Sequence, residues 1–150
     1  MIDVRLVSLN EITEADNFRE LLAEYAAASA IKGLPYPSPR IDIYQTLEKS
    51  GVYKGFAAFR DGGLIGFFMA LWTINPHYGV AIAFMESFFV TKRYRRTGAA
   101  IKLLRFTEKY FRDLKAPGLF ITAPKGSDLE KILPRLGYDE TNTVFLKRFA

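Results

Sequence analysis

Met85-Glu86-Ser87-Phe88-Phe89-Val90-Thr91-Lys92-Arg93-Tyr94-Arg95-Arg96-Thr97-Gly98-Ala99-Ala100-Ile101-Lys102-Leu103-Leu104 is the stretch from which the rest of the chain can be read. Phe88-Phe89-Val90 is an apolar run that predicts a buried strand. A basic turn follows, Lys92 to Thr97, and from Gly98 onward apolar residues recur at helical spacing. A strand that feeds a helix through small residues leaves the helix's first N–H groups without partners. With the helix dipole behind them, those groups form a site for phosphate. Gly98, Ala99 and Ala100 let a bulky anion approach the backbone, and the neighbouring arginines add charge and forked donors. The competing reading is a tight strand–helix junction without a ligand.

Upstream of this stretch, Val4 to Leu9 alternates as a strand, and a helix is predicted from about Glu14 to Ala30, capped by Thr13 or Asn10. Three prolines between Gly33 and Pro39 make a loop, and a short helix is expected over Asp42–Ser50, ended by Gly51. Phe56–Phe59 and Leu64–Thr73 read as strands joined by the Asp61-Gly62-Gly63 turn, with Val80–Val90 as the next strand. That last run is about twice the usual strand length, which predicts a bulge near Phe88. Downstream come the helix after Gly98, a strand over Leu119–Ala123, a short helix over Asp128–Leu136 and a final strand over Thr143–Phe149. The expected fold is α/β: a mixed, mostly antiparallel sheet of about six or seven strands, flanked by about four helices, with a parallel pair at the central junction.

The 150 residues fit one domain, and 49% hydrophobic with 25% charged residues is ordinary for a globular protein. Absence of cysteine excludes thiol chemistry and cysteine-based zinc sites, and a single histidine, His77, excludes a histidine-rich metal site, so no metal is expected. No apolar run reaches membrane-spanning length and no signal-peptide core stands near Met1, so the expected place of work is the cytoplasm. The net charge of +5 suits a polyanionic ligand, whether a phosphorylated coenzyme or nucleic acid. Lys102, Arg105, Lys109 and Arg112 line one helix face, but without interleaved aromatics that stripe reads as a solvated surface.

Arg95-x-x-Gly98-x-Ala100 resembles the pyrophosphate-binding signature of the GCN5-related N-acetyltransferase (GNAT) family, and Glu86-Ser87-Phe88-Phe89-Val90 resembles its approach. The likeness extends through Asp61-Gly62-Gly63-Leu64-Ile65-Gly66 and Leu136-Gly137-Tyr138, and is firmest over residues 56–138. The resemblance implies one acyl-CoA N-acyltransferase domain over residues 1–150, with splayed fourth and fifth strands that admit acetyl-CoA. It implies main-chain contacts to the coenzyme from Phe88, Phe89 and Val90, with the pyrophosphate held by Arg95, Arg96, Thr97, Gly98, Ala99 and Ala100. The N–H of Phe88 would then polarise the thioester carbonyl as charge develops on its oxygen.

Glu86 is the candidate general base, since an ammonium acceptor must lose a proton before it attacks. Two residues before Phe88 on a regular strand, it is expected on the same side as Phe88 and Val90. Its competing role is an ion pair or an anchor for a cationic substrate. His77 is the second candidate base, and Tyr36, Trp72 and Tyr78 are candidates for the acceptor side. Where many members of the family place an acidic Tyr, alignment on Leu136-Gly137-Tyr138 gives Leu133. The leaving thiolate then departs unaided, or Tyr138 or Tyr94 serves it. The leading function is acetyl transfer to a primary amine in a ternary complex. The alternatives are a CoA-binding regulatory module without catalysis and a small basic nucleic-acid-binding domain. Val144-Phe145-Leu146 offers a surface for a homodimer.

Overall fold

The computed structural model describes residues 1–149. Strand β1 (Ile2–Val7) is followed by three helices, α1 (Leu9–Thr13), α2 (Phe18–Ser29) and α3 (Ile41–Lys49). Three long strands come next: β2 (Tyr53–Arg60), β3 (Gly63–Asn75) and β4 (Val80–Val90). A 3-10 turn at Lys92–Tyr94 leads into α4 (Ala99–Asp113), then β5 (Leu119–Phe120), α5 (Asp128–Ile132) and a second 3-10 turn at Pro134–Leu136. The sheet runs β1-β2-β3-β4-β5, antiparallel through β4 and parallel between β4 and β5.

Alternation along the strands divides the core in two. On one face Phe56, Phe68 and Val90 pack against Leu103, Leu104 and Phe111 of α4. Phe56 meets Phe68, Tyr110 and Phe111 edge-on, with ring centroids at 6.5, 5.2 and 5.8 Å, an arrangement that aromatic quadrupoles favour. On the other face Tyr53, Phe67, Met69 and Phe89 meet Leu9, Ile12 and Leu21 of the first two helices. Gly66 makes the β3–β4 approach possible: a Cβ there would lie 2.8 Å from the Phe89 carbonyl oxygen. Among the described residues no helix is long and apolar enough to cross a membrane.

Several sequence expectations change. The helix predicted over Glu14–Ala30 starts later, at Phe18, and a short extra helix, α1, precedes it, which brings the α-helices among the described residues to five rather than about four. Asn17 stands at that later start: its side chain donates to the Leu64 carbonyl at 2.6 Å and accepts from the Leu64 N–H at 3.1 Å, a side-chain pairing that competes with helix formation. Neither Thr13 nor Asn10 caps α2, which begins at Asn17 without a side-chain cap bond; the capping bond forms on α1 instead, from Ser8. Its hydroxyl accepts from the Glu11 N–H while the Glu11 carboxylate accepts from the Ser8 N–H, a reciprocal capping box.

Among the described residues there are five strands rather than the predicted six or seven, so the parallel pair lies at an edge of the sheet rather than in its centre. The predicted strand over Thr143–Phe149 does not form, and Val144 and Phe145 are 76% and 89% exposed. Strand propensity needs a neighbouring ladder, and β5, shortened to Leu119–Phe120, has no strand on its outer edge among the described residues. The basic stripe on α4 points outward, with Arg105 on Glu108 at 2.8 Å and Lys109 on Asp113 at 2.7 Å.

Candidate active site

The register of β3 and β4 slips by one residue at Glu86. Met69 faces Ser87, yet the next residue, Ala70, faces Met85, leaving Glu86 as the extra residue of a bulge. The bulge therefore lies two residues before the predicted position, and it decides where Glu86 points. Met85, Phe88 and Val90 all pack on the α4 face although Met85 and Phe88 are an odd number apart. Glu86 turns to the opposite face, where its Oε1 accepts from the Tyr44 hydroxyl of α3 at 2.7 Å. The expectation that Glu86 shares a side with Phe88 and Val90 is thus overturned, because regular alternation ends at the extra residue.

Tyrosines surround this carboxylate. Burial, with the nearby Glu86 charge second, raises the Tyr25 phenol above its ordinary value. The same two causes, followed by the hydrogen bond to Glu86, raise Tyr44 strongly. Tyr53 lies beneath, its ring 5.8 Å from that of Tyr44, and burial, then Glu48, then Glu86 raise its phenol as well. Glu86 is exposed, so its carboxylate is reachable from solvent.

Beyond the bulge, β4 has a free edge. It pairs with β5 only at Ala83–Leu119 and Phe84–Phe120, then continues alone to Val90. The Thr91 N–H donates to Ile65 of β3 at 2.9 Å, so by alternation the N–H groups of Phe88 and Val90 face away from β3, toward the gap. The side chains have other duties. Phe88 lies 5.0 Å from Phe68 in the α4-side core, and Phe89 lies 6.1 Å from Phe67 in the other.

The gap opens onto the junction with α4. Gly98 starts the helix with φ +82°, a left-handed conformation that costs other residues, and a Cβ there would meet nothing within 4 Å. The first helical bond runs from the Lys102 N–H to the Gly98 carbonyl at 3.0 Å. Among the described residues, the N–H groups of Gly98, Ala99, Ala100 and Ile101 have no protein acceptor. Fifteen aligned residues of α4 stand behind them. Arg96 is exposed at the junction, whereas Arg95 turns back, its Nε donating to the Val90 carbonyl at 3.1 Å and its guanidinium lying over the Phe89 ring. The Thr97 hydroxyl closes on the Tyr94 carbonyl at 2.6 Å. Donors, charge and free space together fit a diphosphate.

Other candidates lie elsewhere. His77 and Tyr78 sit exposed at the tip of the β3–β4 hairpin, held by Asn75, roughly 25 Å of strand from Phe88. Trp72 packs 5.5 Å from Phe111 in the α4-side core, so it does not line the Glu86 face. Tyr36 is exposed in the α2–α3 loop. Leu133 is buried among the α4-side core residues. Tyr138 donates to Glu108 at 2.9 Å, about 14 Å along α4 from Ala99, which removes it as a donor at the gap. Burial and that hydrogen bond push its phenol up.

Three residues of the site were not singled out from the sequence: Tyr25, Tyr44 and Glu24. Glu24 accepts from the Thr91 hydroxyl at 2.8 Å and from the Lys92 N–H at 3.1 Å, tying α2 to the end of β4. Glu24 also borders a cleft of about 570 Å³ between α2 and the β2–β3 turn, which includes neither Glu86 nor Gly98. The only sequence signal for these residues is polarity at helix positions otherwise committed to packing.

Residues 16–131 match the acetyltransferase (GNAT) family. No curated relative matches the chain by sequence. Among solved structures, ribosomal-protein-alanine N-acetyltransferase from Brucella melitensis biovar Abortus 2308 is 22% identical with a TM-score of 0.78, over 100% of this chain and 99% of that one. An aminoglycoside acetyltransferase from an uncultured soil metagenomic sample is 16% identical with a TM-score of 0.76, over 99% and 97%. A transcriptional regulator from Bacillus halodurans C-125 is 13% identical with a TM-score of 0.74, over 99% and 100%. These likenesses extend the shared α/β architecture over nearly the whole chain, and with the match over residues 16–131 the chain belongs to the GNAT acetyltransferase family.

Proposed function

We propose that the chain is an acetyl-CoA-dependent N-acetyltransferase, with residues 1–150 working as one domain that moves an acetyl group to a primary amine. The observation that carries this reading is the succession of three features from β4 into α4: the Glu86 carboxylate, the outward N–H of Phe88, and the unpaired amides from Gly98 to Ile101. The last of these, with Arg96, would hold the pyrophosphate, and the free edge at Phe88 and Val90 would accept the pantetheine as an added strand.

Bound there, acetyl-CoA would supply a thioester whose C–S bond breaks as the amine nitrogen forms the C–N bond, the thiolate taking its proton from solvent. The Phe88 N–H faces the gap where the carbonyl oxygen gains charge. Glu86, on the other face, takes the proton that the ammonium must lose, directly or through one water. Solvent can serve as the acid because a thiol's pKa is near the ambient range, which suits a chain with Leu133 in the core. Arg95 holds the end of β4 rather than reaching outward, so it supports the pyrophosphate turn indirectly.

The test joins binding to turnover. Acetyl-CoA and CoA are expected to raise the melting temperature, and thiol release is expected to depend on an added amine. Stabilisation by both without amine-dependent thiol release would favour the second reading, a CoA-binding regulatory module. Leu133 in place of a hydroxyl and the fold shared with a transcriptional regulator support that alternative. No stabilisation by either compound would remove both.

A further inference from the structure

The bulge at Glu86 has an effect on its neighbour as well. Ser87 stays on the same face as Glu86, and it forms the floor of a small apolar socket with Met69. Helices close the socket from three sides: Thr13 from α1, Leu22 and Tyr25 from α2, and Tyr44 from α3. Its volume is about 30 Å³. A water needs roughly 10–15 Å³ by this kind of measure, so there is space for one or two carbon-sized groups. Because the lining is apolar, water gains little there and an alkyl group gains from leaving bulk solvent.

One side chain links the socket to the carboxylate. The Tyr44 ring is a wall of the socket, and its hydroxyl donates to Glu86 at 2.7 Å. Tyr25, another wall, feels the Glu86 charge. A cation held at Glu86 therefore lies beside the Tyr44 wall of this socket.

Resting on the acetyl-transfer reading, we propose that the socket is the acceptor's specificity subsite, taking a one- or two-carbon branch on the carbon that bears the amine. The ammonium meets Glu86 and the branch enters between Tyr25 and Tyr44. A polyamine or amino sugar without such a branch leaves the socket unfilled, and a benzyl group exceeds its volume.

The experiment compares glycinamide, alaninamide, 2-aminobutyramide and phenylalaninamide, which share one ammonium and differ only in the branch. For each, kcat/KM is measured by thiol release and binding by calorimetric titration of the CoA-saturated protein. Expected is a gain of about fourfold per added carbon up to 2-aminobutyramide, the factor that one buried methylene supplies, and a fall for phenylalaninamide. Leu22→Phe, which fills the socket, is expected to abolish the preference across the series. Thr13→Leu serves the same purpose if that variant is poorly folded. Turnover with equal kcat/KM across the series, or a preference that survives both filled variants, overturns the socket and leaves acetyl transfer standing. Graded binding without turnover supports the socket and counts against the catalytic reading. Neither binding nor turnover overturns both.

Discussion

The Tyr44 hydroxyl donates to Glu86 Oε1 at 2.7 Å, so α3 and the bulge of β4 meet through a single hydrogen bond. That bond orients the carboxylate. Removing the donor in Tyr44→Phe is expected to lower kcat/KM for the amine by about tenfold, since a hydrogen bond to a charged group contributes about 1.5 kcal/mol, and to leave the acetyl-CoA melting shift in place. An unchanged kcat/KM would show that Tyr44 does not act through Glu86.

Replacing the carboxylate itself tests its role as base. Glu86→Gln keeps the size and one acceptor oxygen but cannot take a proton. Expected is a fall of roughly 10² to 10⁴ in kcat/KM at neutral pH, the usual range for a positioned base, with the acetyl-CoA melting shift retained. Wild-type turnover in this variant would remove Glu86 from the chemistry.

At the turn before α4, Gly98→Glu and Gly98→Gln separate charge from shape. Both meet the left-handed φ of +82° and are expected to lose about 1–2 kcal/mol of stability from strain. The glutamate also places a negative charge among the free N–H groups. A ligand at a hundred times its Kd stabilises the parent by about 2.7 kcal/mol, roughly 5–10 °C for a chain of this size. The expected shift with CoA is parent above Gly98→Gln above Gly98→Glu, measured by thermal denaturation. Equal shifts in all three would place the coenzyme elsewhere.

Glu24 supports that turn from α2 through Thr91 and Lys92. Glu24→Ala is expected to raise the KM for acetyl-CoA several-fold with a smaller change in kcat, because the end of β4 loses its anchor while Glu86 and Phe88 are untouched. Glu24→Gln, which keeps an acceptor for the Thr91 hydroxyl, is expected to restore most of the loss. A change confined to melting temperature would mark Glu24 as structural only.

The capping box predicts an acid-sensitive start to α1. Ser8→Ala is expected to cost about 1 kcal/mol, or roughly 2–4 °C in melting temperature. The Ser8 N–H, followed by the Arg5 side chain, holds the Glu11 carboxyl below its ordinary range. With a lowered folded-state value, its contribution is fully present above the unfolded carboxylate pKa of about 4.3 and fades as pH falls through the folded one. Exposure keeps that contribution small. Glu11→Gln is expected to lower stability by a small constant amount above pH 6 and to flatten the fall below about pH 4.5, by denaturant unfolding across pH.

Local chemistry in the sequence determined the elements and the open amides at the head of α4. Apolar alternation placed β2, β3 and β4, Asp61-Gly62 placed their turn, and Gly98-Ala99-Ala100 after a strand placed the open amides of α4. Each of these depends on residues close together in the chain, so spacing suffices to read them. The surroundings of Glu86 were decided only in three dimensions. One unpaired residue in the β3–β4 ladder turned Glu86 to the opposite face from Phe88, and only there do Tyr25 of α2 and Tyr44 of α3 reach it. Asn17 set a later start for the helix expected from Glu14 through a bond to Leu64, 47 residues away, and Thr143–Phe149 found no ladder to join among the described residues. A bulge, a distant hydrogen bond and a missing neighbour are properties of pairings between separate segments, and no periodicity within one segment encodes them.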